Sequence, residues 1–284
     1  MSERRPPARP EPLRIAVVPA YNEEPTVVAV LDHLCELVDE VVVVDDGSTD
    51  GTRAAVEAWL PDNPRARLLT FDVNRGMSAA YYLAFTDLRR RIDLGEISPD
   101  DLIYTVDADG QHDLSALGDL EKLAIVEELD ALIVQRDLST YPFYKQLGNR
   151  IISLWATLWA GSSLPDVESG YRIFRAGALA DALDYYEGYQ YSETVEVAVV
   201  LCRLGYRVRN DVMVPVPIYR SRTRMRDVVI DLSVIPLAAY RAVTDRRPDQ
   251  VHGGSLQVPV ALSAGLAAAG AFTASRIVRR LRRR

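Results

Sequence analysis

From Leu13 onward, short apolar runs alternate with stretches whose apolar residues recur at three- and four-residue spacing. The runs at 14–18, 40–44, 67–71, 102–106 and 131–134 predict strands, and the periodic stretches at 26–37, 52–60, 78–92 and 114–127 predict helices. Strictly alternating strands and helices predict an α/β fold, because parallel strands need a helical crossover between them. The sheet is therefore expected to be Rossmann-like and mainly parallel. Further along come a helix at 145–160, a Gly/Ser/Pro loop to Pro165 and a tight polar segment at 166–172. A helix at 193–204, a strand-like run at 207–216 and a helix at 227–243 follow, and no segment repeats with a fixed period.

In such a sheet ligands bind beyond the carboxyl ends of the strands. The residues there are polar: Pro19, Ala20, Tyr21, Asn22 and Glu23 after the first strand, Asp45, Asp46, Gly47 and Ser48 after the second. Asn74, Arg75 and Gly76 follow the third, and Asp107, Ala108 and Asp109 the fourth. Two carboxylates at i and i+2 on an irregular strand end suit one hard divalent cation, with Gln111 close behind. Beside a pyrophosphate such a pair makes sense only with Mg²⁺ or Mn²⁺ between the negative charges. Asp45 and Asp46 are placed to accept hydrogen bonds from a base N–H and ribose hydroxyls, and Tyr21 and Glu23 to face a nucleoside. Thr49 or Asp50 reads as a cap for the helix that follows.

The 284 residues, 48% hydrophobic and 26% charged, suffice for one sizeable α/β domain with appendages. A net charge of −7 argues against a nucleic-acid partner, which would call for a basic surface. Cys35 and Cys202 fall inside helix-like patterns and read as buried, reduced thiols, as expected of a cytoplasmic protein. Residues 1–12, rich in Pro and Arg, lack the apolar stretch of a signal peptide and read as a disordered lead-in.

PAYNEE at 19–24, VDDGSTDGT at 44–52, NRGMSAA at 74–80, DADGQH at 107–112 and PDVESGYRIFR at 165–175 occur in the order found in the inverting family 2 (GT-A) glycosyltransferases. Within that family the chain most resembles the dolichyl- and polyprenyl-phosphate sugar (mannose or glucose) synthases. The resemblance spans 13–225 as the catalytic domain. It implies a nucleotide-sugar donor bound by Pro19, Ala20, Tyr21, Glu23, Asp45, Asp46 and Asp107, and Mg²⁺ or Mn²⁺ held by Asp107, Asp109 and Gln111. It further implies that Arg136 and Arg172 face a donor or acceptor phosphate, and that Arg220, Arg222 and Arg224 form a late basic loop toward the acceptor. Met77 departs from the family, where Lys is common, and Thr223 and Arg224 replace a frequent Ser-Lys pair.

Two acceptors remain open. Polyprenyl phosphate is already an anion and needs no base, whereas a soluble or protein-bound hydroxyl would use Asp166, or Glu168, to take its proton. Glu193 and Glu196, three apart on a helix, read as a surface pair. A sugar-phosphate nucleotidyltransferase would require a basic glycine-rich loop after the first strand, which is absent, and a non-catalytic nucleotide-sugar-binding module is disfavoured by the intact Asp107, Asp109 and Gln111 set. Residues 226–284 comprise amphipathic and apolar helices, including a Gly/Ala-rich stretch at 258–274, and an arginine tail. They read either as an interfacial segment on the inner face of the cytoplasmic membrane or as helices packed on the domain or a partner chain.

Overall fold

A computed structural model describes residues 11–186, 192–215 and 225–244 of the chain. The lead-in up to Pro10, the loop carrying Arg220, Arg222 and Arg224, the apolar stretch 258–274 and the arginine tail lie outside the described residues.

Strands β1 (Arg14–Ala20), β2 (Glu40–Asp46), β3 (Ala66–Phe71) and β4 (Leu102–Thr105) alternate with helices α1 (Val27–Leu37), α2 (Thr52–Trp59) and α3 (Met77–Asp93). Helix α4 (Leu117–Val126), preceded by a short 3-10 turn, leads to β5 (Ala131–Ile133) and the two-residue β6 (Gln135–Arg136). Helix α5 (Phe143–Ala160) is followed by β7 (Arg172–Arg175), α6 (Ala176–Leu183) and α7 (Glu193–Leu204), then β8 (Val208–Arg209), β9 (Met213–Val214) and α8 (Met225–Thr244). The main sheet has seven strands in the order β3-β2-β1-β4-β7-β5-β8, and β6 pairs with β9 beside it.

The valine-rich strands reflect burial on both faces. Val41 and Val43 of β2 pack with Val18 of β1 against α1 and α2, while Val42 and Val44 pack with Ile15 and Val17 on the opposite face against α3. A third cluster joins Ile152 and Ala156 of α5 to Val195 and Val199 of α7 and Ile235 of α8.

Four sequence expectations change. The segment 166–172 does not remain a polar turn to its end, because Arg172 opens β7, an antiparallel strand inserted between β4 and β5. Four residues bounded by arginines carry too little apolar pattern to read as a central strand. The run 207–216 divides: β8 joins the main sheet beside β5, and β9 pairs with β6, with Asn210 at the break. Glu193 and Glu196 are buried, not a surface pair, since α7 is covered by α5, α6 and α8. Cys35 and Cys202 are both free and only partly buried.

Candidate active site

The carboxyl ends of β1 and β2 are laced together by hydrogen bonds from backbone N–H groups to side-chain oxygens. Asn22, held at a φ of +56°, donates its N–H to Ser48 Oγ at 3.0 Å and accepts from Thr49 N at 2.8 Å through Oδ1. Glu23 N donates to Thr52 Oγ1 at 2.8 Å. Gly47 sits at a φ of +67°, and a Cβ there would lie 2.3 Å from the Val73 carbonyl carbon, so both conformation and space require glycine. Pro19, Ala20 and Glu23 are buried, while Tyr21 is half-buried on the rim.

Asp45 and Asp46 are engaged within the protein. Arg53 Nε donates to Asp45 Oδ2 at 2.8 Å. Asp46 accepts from Arg75 N at 2.7 Å, Gly76 N at 2.8 Å and Asn74 Nδ2 at 3.0 Å. Burial raises the Asp46 pKa above the ordinary aspartate value, and those backbone donors pull it part of the way back. Asp46 thus anchors the Asn74-Arg75-Gly76 loop to β2, a link that no spacing in the sequence discloses.

Beyond β4 the chain turns through Asp107, Ala108, Asp109 and Gly110. Asp107 Oδ1 is buried and has no hydrogen-bond partner, and Oδ2 lies 3.5 Å from His112 Nε2. His112 Nδ1 accepts from Asp107 N at 3.2 Å, which assigns the proton of a neutral ring to Nε2, facing the carboxylate. The ring stacks on Tyr171 at 4.8 Å. Burial raises the Asp107 pKa and the nearby Asp109 adds to it, while His112, Arg136 and Arg172 oppose. Gly170 presses on this carboxylate: an added Cβ would sit 3.0 Å from Asp107 Oδ2, and its carbonyl is pinned by Thr105 Oγ1 at 2.6 Å. Gln111 donates its backbone N–H to Asp109 Oδ1 at 3.0 Å and its side-chain amide to Oδ2. The unpartnered Asp107 oxygen, the Asp109 carboxylate and the Gln111 amide oxygen are oxygen donors of the type that suits a hard divalent cation. Among the described residues no three His, Cys, Asp or Glu side chains gather as a metal cluster, so this set depends on the amide.

On the other side of Gly170, Arg136 and Asp166 form a forked ion pair. Arg136 Nε donates to Asp166 Oδ2 at 2.8 Å and Nη2 to Oδ1 at 2.7 Å, and Arg136 N also donates to Oδ2 at 2.9 Å. Asp166 is 1% exposed whereas the Arg136 side chain is 24% exposed, so the arginine is the more open member of the pair. Burial opposes the Arg136 charge, but Asp166 outweighs it and raises the pKa further. Asn210 supports the turn by accepting from Asp166 N at 2.8 Å.

Arg172, expected to meet a phosphate, is spent inside the protein. Nε donates to Ser169 O at 2.6 Å, Nη2 to Val167 O at 3.1 Å, and Nη1 lies 3.4 Å from Glu193 Oε1. It braces the turn that carries Asp166 and Gly170. Burial lifts Glu193 to about 7, opposed by Arg172 and reinforced by Asp107. His112, Tyr171, Asn210 and Gly170 were not singled out from sequence as site residues, although the first lies within the DADGQH motif.

The structure brings Pro19 to Glu23, Asp45, Asp46 and Asp107 to Gln111 onto one rim, with Arg136 and Asp166 beside it. Strand-end carboxylates at the switch between β1 and β4 are the arrangement of a nucleotide-binding α/β fold. Solved structures share the fold: glucosyl-3-phosphoglycerate synthase from Mycobacterium tuberculosis, in complex with Mn²⁺, uridine diphosphate and glucosyl-3-phosphoglycerate, superposes with a TM-score of 0.58 at 18% identity, over 84% of this chain and 82% of that one. The mannosyltransferase PcManGT from Pyrobaculum calidifontis, in complex with GDP-Man and Mn²⁺, gives 0.52 at 19% identity, over 91% and 81%. The fold is GT-A. The profile of Glycosyl transferase family 2 matches residues 15–181, and the chain belongs to that family. It is 30% identical to an undecaprenyl-phosphate mannosyltransferase of Micrococcus luteus over 68% of this chain and 79% of that protein. It is also 30% identical to a polyprenol monophosphomannose synthase of Mycolicibacterium smegmatis, over 60% and 64%.

Proposed function

We propose that this glycosyltransferase moves a hexose from a UDP- or GDP-sugar to polyprenyl phosphate, with inversion, at the inner face of the cytoplasmic membrane. The observation that carries the choice of acceptor is the Arg136–Asp166 pair. Both Asp166 oxygens are occupied by Arg136, at 2.7 and 2.8 Å, in the position where a hydroxyl acceptor would need a free base. A phosphate acceptor needs no proton removed, and the partly exposed arginine suits an anion. The names of the curated relatives support the same acceptor class.

In this reading Pro19 to Glu23 and the Asp45–Asp46 loop hold the nucleoside. Asp107, Asp109 and Gln111 would hold Mg²⁺ or Mn²⁺, which would supply positive charge to the leaving diphosphate when bound. An acceptor phosphate oxygen, oriented by Arg136, attacks the anomeric carbon as the bond from that carbon to the diphosphate oxygen breaks on the opposite face. The nucleoside diphosphate leaves with the electron pair. Arg172 and Glu193 act at one remove by bracing the turn that presents Asp166 and Gly170. The late arginines Arg220, Arg222 and Arg224 are assigned to the acceptor side on sequence grounds alone.

Purified protein incubated with Mn²⁺ or Mg²⁺, a panel of UDP- and GDP-sugars and polyprenyl phosphate tests the proposal by nucleoside diphosphate release. Release requiring both the lipid phosphate and Asp109 is the expected result. Release indifferent to lipid but stimulated by a hydroxyl acceptor would overturn the acceptor assignment.

A further inference from the structure

Helix α5 has two apolar faces, only one of which the fold uses. Asn149, Ile152, Ser153, Ala156 and Ala160 are buried against the domain. Phe143, Tyr144, Leu147, Ile151, Leu154 and Leu158 are between 46% and 77% exposed. At 3.6 residues per turn these six fall within an arc of about 100°, directly opposite the buried face. Single exposed apolar residues need no explanation, but a continuous stripe along one helix implies an occupant.

Charge indicates which occupant. The chain carries a net charge of −7, yet residues 138–165 contain no Asp or Glu and include Lys145 and Arg150. Arg150 is exposed at one edge of the stripe, and half-buried Trp155 borders the other. Apolar residues in the centre with an arginine and a tryptophan at the margins match the requirements of a bilayer interface bearing anionic headgroups. No helix among the described residues is long and apolar enough to cross a membrane, so contact through α5 is lateral. The stripe also continues into a cleft of about 450 Å³, where Phe143, Leu147 and Leu154 meet Asn149 and Arg150. Asn149 Oδ1 lies 3.3 Å from Arg136 Nη2, so the cleft leads from the stripe toward the ion pair of the site.

We propose that the exposed apolar face of α5 lies flat in an anionic lipid surface and seats the enzyme on the bilayer with its acceptor side toward the lipid. The docking surface stands on its own observations, and only the delivery of acceptor along the cleft rests on the function proposed above.

Vesicle flotation tests it, with phosphatidylglycerol–phosphatidylcholine vesicles that contain no acceptor. The full chain is expected to float with them, to float less with pure phosphatidylcholine, and to lose roughly tenfold or more of its binding in Ile151→Glu/Leu158→Glu, since an interfacial charge opposes insertion. Both positions are exposed and lie outside the cleft, so turnover of a short-chain, water-soluble polyprenyl phosphate analogue should persist. Tyr144→Gln/Leu158→Gln provides a milder pair should the glutamates disturb folding. Equal flotation of the wild type and both variants would overturn the proposal. So would absence of flotation, or a dimer that dissolves in the glutamate variant without any vesicle binding. Failure of every lipid phosphate as an acceptor would remove the proposed function but leave the flotation result to decide the docking surface.

Discussion

Asp166→Asn separates the two acceptor chemistries, because the substitution keeps the shape and removes the charge. Asp166 receives three hydrogen bonds from Arg136, at 2.7, 2.8 and 2.9 Å, and is 1% exposed. An amide oxygen can keep the bonds at Oδ2, but its NH₂ then faces Nη2, donor against donor. The variant loses one charge-assisted hydrogen bond, about 1.5–3 kcal/mol, and the counter-charge of the guanidinium. Arg136 is 24% exposed, so water relieves part of that loss. The net cost should be about 2–4 kcal/mol, a fall in melting temperature of roughly 5–10 °C. If Asp166 serves as the partner of Arg136, calorimetry shows that fall, KM for lipid phosphate rises, and kcat drops less than about tenfold. If Asp166 is a general base, kcat falls by about 10²–10⁴ whatever the stability. An unchanged melting temperature with a thousandfold loss of kcat, on the order expected for a lost base, would refute the reasoning and restore the hydroxyl acceptor.

Three further outcomes follow from the geometry. Gly170→Ala places a Cβ 3.0 Å from Asp107 Oδ2 and 3.1 Å from Oδ1, so Mn²⁺ titration should show about tenfold weaker binding with little loss of stability. Gly47→Ala combines a φ of +67° with a 2.3 Å approach to Val73 backbone, and chemical denaturation should show a loss of about 3 kcal/mol or more. Glu193 has a folded pKa raised from 4.5 to about 7, so its contribution to stability is fully present below 4.5 and is lost as pH rises through 7. Glu193→Gln should flatten that decline between pH 5 and 8, measured as melting temperature against the wild type at each pH.

Much of the fold was legible because its signals are local. The valine runs of β1 and β2, the apolar spacing of α1 to α4 and the glycine-bearing strand ends suffice to place a parallel sheet and a carboxylate rim, since period and turn chemistry act within a few residues. The order of five motifs was enough to indicate the family. The tertiary structure decided what depends on partners distant in sequence. Strand β7 exists because β4 and β5 supply hydrogen bonds on both sides of Arg172–Arg175, not because its own four residues favour extension. Glu193 is buried because α7 is covered by neighbouring helices, and a helical period alone does not state how many faces are packed. The same holds for α5, whose period gives a helix while only packing leaves the face of Leu147, Leu154 and Leu158 uncovered. Residue type likewise marks Asp166 and Arg172 as chemical candidates. Whether a charge meets a ligand or a protein partner depends on which groups the fold brings close: for Asp166 the partner is 30 residues away, and Arg172 is held by carbonyls three and five residues back together with Glu193, 21 residues on.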